Sequence, residues 1–260
     1  MLTMTHMVAA RATGGKLTEH DIEGSNLLNA LHKADRRNLA PYLQECSLVD
    51  DHVLYEPGDK VGHVYFPRHH ALASHVVLMP DGTAIEAAMV GSEGAIGGIV
   101  SHGSLPAYAR TSVTHGGEFY RISVVVLQEI KEKSAHMSNL FARYADCLVA
   151  QLLQSIACNA THTIEQRTAN WFCVAMDRTG SNDITLTQDQ LGTLLGVGRT
   201  YVSRVIGRMK KDLTIATRRG GIKVMDRDRL DQTSCACRKL VNAHFQDVLK
   251  GIYPDYPAAG

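Results

Sequence analysis

The sequence predicts an α+β protein in three successive parts: an N-terminal antiparallel sandwich or rolled β-barrel, a long central helix, and a C-terminal helix-turn-helix followed by a β-hairpin. Three observations predict this order. Residues 46–126 consist of short apolar runs separated by glycine and proline, residues 124–162 contain neither glycine nor proline, and a glycine turn at residues 196–198 joins two short amphipathic segments. These patterns are typical of short strands, of helix and of a helix-turn-helix.

Composition and charge favour a folded protein that does not enter a membrane. The chain has 260 residues, 45% of them apolar, and its 27 Lys and Arg against 26 Asp and Glu give a net charge of +1. No apolar run approaches the roughly 20 residues of a membrane-spanning helix, and residues 1–16 lack the apolar segment of a secretion signal. Most of the six cysteines are scattered among apolar residues, as reduced, buried thiols are. We therefore expect a cytoplasmic protein of bacterial type.

The β segment is expected to span residues 23–133, after a loose tail at residues 1–22. A short amphipathic helix is expected at residues 26–31, and strands are expected at residues 53–55, 61–66, 72–78 and 85–90. Strands at intervals of roughly 8–12 residues, with glycine and proline turns between them, favour a sandwich or a rolled barrel.

The central helix, expected at residues 134–162, has apolar residues on two faces. One stripe at alternating spacings of four and three consists of Leu140, Tyr144, Cys147, Gln151, Gln154 and Cys158, and a parallel one of Phe141, Ala145, Leu148, Leu152 and Ser155. Such spacing is typical of a coiled-coil seam, so either stripe could pair two chains while the other packs on the β domain. We predict a homodimer through Leu140, Tyr144, Cys147, Leu148, Gln151 and Leu152.

Residues 163–250 are expected to form the helical C-terminal domain, and residues 251–260 a second tail. Thr187 and Gln190 have the spacing of a capping box, which begins a helix. Gly196 falls where the chain must turn sharply, and a second helix is predicted at residues 199–211. Its core face carries Val202, Val205, Ile206 and Met209.

The opposite face of this second helix carries side chains that suit DNA. Arg204 can offer a planar fork to the O6 and N7 atoms of guanine, and Thr200 and Ser203 can bond to phosphates or base edges. The hairpin predicted at residues 214–225 has two arginines at its tip, as a wing that grips the DNA backbone would. The predicted DNA-binding residues are Thr187, Gln188, Arg199, Thr200, Tyr201, Ser203, Arg204, Arg208, Arg218 and Arg219.

The near-zero net charge hides a strong local asymmetry. Residues 187–225 contain eight basic and two acidic residues, a net charge of +6, which leaves −5 for the rest of the chain. Concentrated positive charge binds phosphates in a salt-dependent way, because bound counterions are released. Double-stranded DNA is therefore the predicted partner.

Several motifs carry a resemblance to a known family. They are residues 186–191 (LTQDQL), 195–204 (LGVGRTYVSR) and 219–226 (RGGIKVMD), with residues 57–59, 64–67 and 90–94 in the β segment, and residues 157–159, 162 and 235–237. Over about residues 26–239 the sequence resembles the Crp/Fnr superfamily of bacterial transcription regulators. The resemblance implies a jelly-roll β-roll of the cyclic-nucleotide-binding type, a dimerisation helix and a winged helix-turn-helix. It also implies homodimers that bind palindromic promoter sites and act on RNA polymerase.

Two departures from the family pattern affect specificity and effector binding. Many members carry Glu in the recognition helix where this chain has Thr200, so a different half-site is expected. By resemblance, the effector pocket would comprise Gly91, Ser92, Glu93, Arg110 and Thr111. Arg110 follows Glu93 by 17 residues, a longer interval than the family's phosphate-binding cassette has. A cyclic nucleotide is the effector class that the resemblance suggests, and no cofactor is predicted with it.

The competing function is a metal-dependent, cupin-like enzyme built on the β-roll. Four histidines, His63, His69, His70 and His75, lie close together in this segment and could bind metal or haem or sense pH. Their spacing lacks the His-x-His pattern of a cupin. The Cys235–Cys237 pair could be redox-active or linked to a metal. We predict no catalytic residue and no metal site, and Cys46 alone does not indicate an iron–sulfur cluster.

Overall fold

The computed structural model describes residues 16–254, with the exception of residues 102 and 104. Within this range the chain forms an N-terminal β-roll, a long helix and a C-terminal helical domain with a small sheet, in agreement with the predicted fold class. No helix of the described residues combines the length and the apolarity that crossing a lipid bilayer would require. Most of the predicted tail, residues 1–15, lies outside the described residues.

The described β-roll contains two antiparallel sheets. Its strands are β1 (Gln44–Leu48), β2 (Val53–Tyr55), β3 (His63–Pro67), β4 (Leu72–Leu78), β5 (Ala84–Val90), β6 (Arg110–His115) and β7 (Gly117–Ser123). One sheet has the order β1-β7-β3 and the other the order β2-β6-β4-β5. Phe66, Phe119 and Tyr120 are fully buried in the core of the β-roll, with apolar residues of the preceding helices. Those helices are α1 (Asn26–Asn29), α2 (Lys33–Leu39) and a 3-10 turn at Ala40–Tyr42.

Two helices follow the β-roll, and a short break at residues 132–134 separates them. They are α3 (Val124–Lys131) and α4 (Ala135–Thr161), and the hydroxyl of Ser134 caps α4 by accepting from the N–H of Met137 at 3.1 Å. The face of α4 that carries Met137, Phe141 and Tyr144 packs in the β-roll core.

The burial of α4 contradicts most of the predicted dimer seam. Four of the six predicted residues, Leu140, Tyr144, Cys147 and Gln151, are buried within their own chain and cannot contact a second copy. Leu148 and Leu152 are partly exposed. The apolar side chains that α4 exposes are instead Val149, Leu153 and Ile156, at 53%, 62% and 67%. Because both stripes are apolar, the sequence left open which of them packs inside the chain.

The C-terminal domain combines helices with a three-stranded antiparallel sheet. Its elements are α5 (Ile164–Thr179), β8 (Asp183–Ile184), α6 (Gln188–Leu195), α7 (Arg199–Lys211), β9 (Ile215–Arg218), β10 (Gly221–Val224), α8 (Arg227–Thr233) and α9 (Cys237–Val248). The sheet has the order β8-β10-β9. Trp171 and Phe172 of α5 anchor a core that includes the inner faces of α6 and α7.

Both predicted tails reach the core of the β-roll. Ile22, expected in a loose N-terminal tail, is 3% exposed. Ile252 and Tyr253, expected in a C-terminal tail, are 4% and 3% exposed and join the same core with Phe245 of α9. The side-chain amide of Asn26 donates to the carbonyl of Ile252 at 2.9 Å. The chain therefore returns to the β-roll after the helical domain.

Candidate nucleic-acid interface

The predicted capping box begins α6. The hydroxyl of Thr187 accepts from the N–H of Gln190 at 3.2 Å, and the N–H of Thr187 donates to the side-chain oxygen of Gln190 at 2.8 Å. Two backbone donors that a helix start would otherwise leave unpaired are thereby satisfied. The direction of α6 is thus determined by residues within one turn of sequence.

The turn between α6 and α7 requires glycine for two reasons. Gly196 has a φ of +66°, a left-handed conformation that disfavours other residues. A Cβ atom there would also lie 2.8 Å from the side chain of Ile85 on β5, and one at Gly192 would lie 2.9 Å from the carbonyl of Val197. Gly192 therefore allows α6 and α7 to cross closely, and Gly196 allows the turn to lie against β5.

Helix α7 separates its apolar and polar residues between two faces. Val202, Val205, Ile206 and Met209 are buried in the domain core, as predicted. The outward face is exposed and carries Arg199, Thr200, Tyr201, Ser203, Arg204 and Arg208. This exposed face can enter a groove of DNA, while the apolar face packs the helix into its domain.

The wing is the hairpin of β9 and β10, and its two arginines have different surroundings. Arg218 pairs with Asp183 of β8 at 2.8 Å and donates to the hydroxyl of Thr185 at 3.2 Å. Arg219 is exposed at the tip, next to Gly220, whose φ is +72°. Arg218 therefore braces the hairpin in this structure, whereas Arg219 is directly available to phosphate.

Two arginines of α7 form exposed ion pairs. Arg199 lies 3.3 Å from Asp189, and Arg208 lies 3.2 Å from Glu165. Exposed pairs of this kind contribute about 0–1 kcal/mol, so a phosphate can replace the carboxylate at little cost. Arg204 is exposed and forms no ion pair with another residue that the structure describes.

The predicted DNA-binding residues lie on adjoining surfaces. A groove between the start of α6 and the wing is lined by Thr187, Gln188, Arg199 and Arg218. Ser203 continues this surface along α7, since its hydroxyl donates to the side-chain oxygen of Gln188 at 2.8 Å. The start of α6, the outer face of α7 and the wing are thereby brought together, as a winged helix-turn-helix needs.

The predicted effector residues form ion pairs and hydrogen bonds with different parts of the chain. Glu93 forms a buried ion pair with Arg178 of α5 at 2.8 Å and accepts from the N–H of Gly91 at 3.0 Å. Arg110 instead pairs with Glu56 at 2.9 Å, near the surface. Thr111 is hydrogen-bonded to His75 on the neighbouring strand, and Ser92 is buried next to Glu93. An effector pocket at these residues stays a prediction, and it would require the Glu93–Arg178 pair to open.

Sequence reasoning missed that the C-terminal domain docks on the β-roll through buried polar contacts. The indole of Trp171 donates to Glu86 of β5 at 2.9 Å, and Glu86 also accepts from the hydroxyl of Ser74 at 2.6 Å. Burial raises the pKa of Glu86, which both hydrogen bonds partly oppose. Arg178 and Glu93 are 85 positions apart, so no local pattern indicated their pairing.

A cleft of about 110 Å³ lies beside these contacts. Its walls come from β5, α4, α5, α6 and α9, and they include Gln151, Arg167, Trp171 and Arg178. The cleft is therefore a space between the β-roll and the C-terminal domain, which no sequence motif indicated.

The histidines of the β-roll do not support the cupin alternative. His69 and His70 are exposed, and desolvation lowers the pKa of both His63 and His75. In the part of the chain that the structure describes, none of these four belongs to a group of three potential metal ligands. A cupin-type centre needs such a group on neighbouring strands.

Comparison with known proteins agrees with this geometry. Residues 166–233 match the family model of the Crp-like helix-turn-helix domain. No curated protein resembles the chain closely enough to count as a relative.

Many solved structures share the fold. FixK2 from Bradyrhizobium japonicum has 17% identity and a TM-score of 0.62, over 75% of this chain and 98% of its own. A CRP-family transcriptional regulator from Thermus thermophilus has 16% identity and a TM-score of 0.62, over 72% and 95%. The regulator CLP of Xanthomonas campestris, described as responsive to c-di-GMP, has 14% identity and a TM-score of 0.59, over 74% and 99%.

The cupin-like enzyme finds no support among these neighbours, which include transcription regulators that share the β-roll, the long helix and the helix-turn-helix. The family match falls on the same residues whose capping box, glycine turn and exposed basic helix were described above. Residues 166–233 thus match the Crp-like helix-turn-helix domain, and the chain shares its fold with solved structures described as regulators of the CRP/FNR family.

Proposed function

We propose that the chain acts as a homodimer that reads a palindromic promoter site with α7 and responds to a small effector through its β-roll. The observation that carries this proposal is the exposed basic face of α7, whose Arg199 lines one groove together with Arg218 of the wing. Promoter binding would then act on RNA polymerase, as the family resemblance implies. The cytoplasm, where promoter DNA is found in bacteria, is the expected compartment.

The proposed dimer forms through the exposed side of α4. Val149 and Ile156 lie seven residues apart, with Ala145 and Leu152 completing a heptad stripe on the same side. Isolated apolar side chains are common on surfaces, but a continuous stripe on a long helix favours pairing with a second copy. A two-fold dimer carries two α7 helices, and a palindrome offers one half-site to each.

The proposed effector response depends on the contacts between the two domains. Arg178 of α5 forms an ion pair with Glu93 of the β-roll, and Trp171 of the same helix donates a hydrogen bond to Glu86. A ligand that bound Glu93 would have to displace Arg178, and this would alter how α5 rests on the β-roll. Effector binding and the position of α7 are thereby linked through one helix.

Selection of DNA sites from a random library tests the core of this proposal. The purified full chain should enrich a two-fold symmetric consensus, and footprinting should show protection of both half-sites. Enrichment of no sequence above the input library would contradict sequence-specific reading. Enrichment of a single half-site without symmetry would contradict the dimer.

A further inference from the structure

Four potential metal ligands meet where the long helix ends. Cys158 is in the last turn of α4, and His162 directly follows that helix. Cys235 lies between α8 and α9, and Cys237 is the first residue of α9. The three Sγ atoms and one ring nitrogen all lie within 4.8 Å of one another, although the two pairs are more than 70 positions apart in sequence.

The distances within this cluster match those of a tetrahedral zinc site. The Sγ atoms of Cys158 and Cys235 are 3.6 Å apart, and the Sγ of Cys237 lies 3.5 Å from Nδ1 of His162. Around one Zn²⁺ ion, bond lengths of about 2.3 Å to sulfur and 2.0 Å to nitrogen place two sulfurs about 3.8 Å apart and sulfur and nitrogen about 3.5 Å apart. A disulfide would need the sulfurs at about 2.05 Å.

The surroundings of the cluster suit a metal bound by thiolates. All three cysteines are buried, at 5–7% exposure. The side-chain amide of Gln154 donates to the Sγ of Cys237 at 3.1 Å, as hydrogen bonds around metal-bound thiolates do. The guanidinium of Arg167 is within electrostatic reach of Cys158 and Cys235, and its charge would offset the excess negative charge of three thiolates on one Zn²⁺ ion.

We propose that Cys158, His162, Cys235 and Cys237 bind a single Zn²⁺ ion in a closed structural site. Three thiolates and one imidazole are a common ligand set of structural zinc, whereas Mg²⁺ and Ca²⁺ prefer oxygen ligands. A cluster of several irons binds its cysteines at different metal atoms and so holds them farther apart, whereas these four ligand atoms all lie within 4.8 Å of one another. With four protein ligands, no position stays open for a substrate.

The site would fasten the DNA-reading domain to the dimer helix. Cys158 and His162 stand just before α5, and Cys235 and Cys237 stand just after α8, which packs on α5. A bound ion therefore closes a loop around the junction of α4 and α5. This mechanical role depends on the proposed dimer function, whereas metal binding itself does not.

Metal analysis of the full chain, purified without a polyhistidine tag, tests the site. The wild-type protein is expected to hold one zinc per chain after dialysis. A double variant, Cys235→Ser with Cys237→Ser, should hold almost none. Cys173→Ser is the matched control, because Cys173 is buried in the same domain outside the cluster and its loss should leave the zinc content unchanged.

Cobalt provides a readout that does not depend on the folding of a variant. Wild-type protein stripped with a chelator and titrated with Co²⁺ should show the thiolate-to-cobalt charge-transfer band and the intense visible bands of a tetrahedral site, saturating at one equivalent. Absence of both zinc uptake and these bands would overturn the proposal. Equal zinc in the double variant, or iron with acid-labile sulfide in the wild type, would also overturn it.

The proposed mechanical role of the zinc site is tested separately, by binding to the selected DNA site. Stripping the metal should raise the Kd for that site, and restoring Zn²⁺ should return it. An unchanged Kd with confirmed zinc binding would overturn the mechanical role, whereas the proposed zinc site itself would stand. Failure of DNA binding under all conditions would instead count against the proposed function.

Discussion

Arg204 is exposed on the outer face of α7, and its guanidinium forms no ion pair within the described part of the chain. A bidentate contact with guanine is worth about 1–3 kcal/mol of discrimination, so we expect Arg204→Ala to weaken binding to the selected site by that amount and to relax its sequence preference. Competition binding against single-base variants of the site would measure this. Unchanged preference at every base pair would contradict the role of Arg204.

Arg219 at the tip of the wing provides the contrasting case. A phosphate contact carries no sequence information, so Arg219→Ala should weaken binding to all DNA sequences about equally. It should also reduce the salt dependence of the association constant, by a slope of about one. A change in sequence preference instead would show that the wing reads bases.

Leu213 carries local backbone strain at the end of α7. Its φ of +59° is left-handed, where an L-residue other than glycine costs about 1–2 kcal/mol, and its side chain is 77% exposed. We expect Leu213→Gly to raise the free energy of unfolding by about 1 kcal/mol. The matched control is Leu240→Gly in α9, an exposed helical leucine, which should lower it by about 1 kcal/mol. Urea denaturation of both variants would measure whether the free energy of unfolding rises or falls.

At the scale of elements, α4 carries the prediction about assembly. The double variant Val149→Asp with Ile156→Asp places two negative charges on the exposed stripe of α4. We expect it to be a monomer, because a coiled-coil seam cannot bury unpaired carboxylates. Sedimentation at micromolar concentration would measure the oligomeric state of this variant. Val125→Asp on α3, where the valine is 61% exposed, is the control that should remain dimeric. A variant that is still a dimer would place the interface elsewhere.

The elements differ in how far the sequence alone could predict them. The start of α6 and the α6–α7 turn are determined by Thr187, Gln190 and Gly196, which act within a few residues, and both were predicted correctly. The inner face of α4 was not, because its two stripes are equally apolar and only docking on the β-roll distinguishes them. Ile252 is buried in the β-roll core and accepts a hydrogen bond from Asn26, 226 positions away, and no periodic pattern can indicate such a contact.

At the scale of the molecule, one buried ion pair joins the β-roll and the C-terminal domain. Arg178 and Glu93 are 1% and 2% exposed, and removal of one partner leaves a buried charge uncompensated, at about 3–5 kcal/mol. We expect Arg178→Met to be destabilising by that order. Adding Glu93→Gln should recover part of the loss, so that a double-mutant cycle gives a coupling energy above about 1 kcal/mol. Strict additivity would contradict a direct coupling between the domains.

The return of the chain to the β-roll has a consequence for how the protein is made. Phe245, Ile252 and Tyr253 complete the core of the domain that is synthesised first, but they leave the ribosome after the whole DNA-reading domain. Nascent chains usually fold domain by domain from the N-terminus. The core of the β-roll is therefore complete only after the C-terminal domain has been translated, so the β-roll cannot reach its final packing before that domain exists.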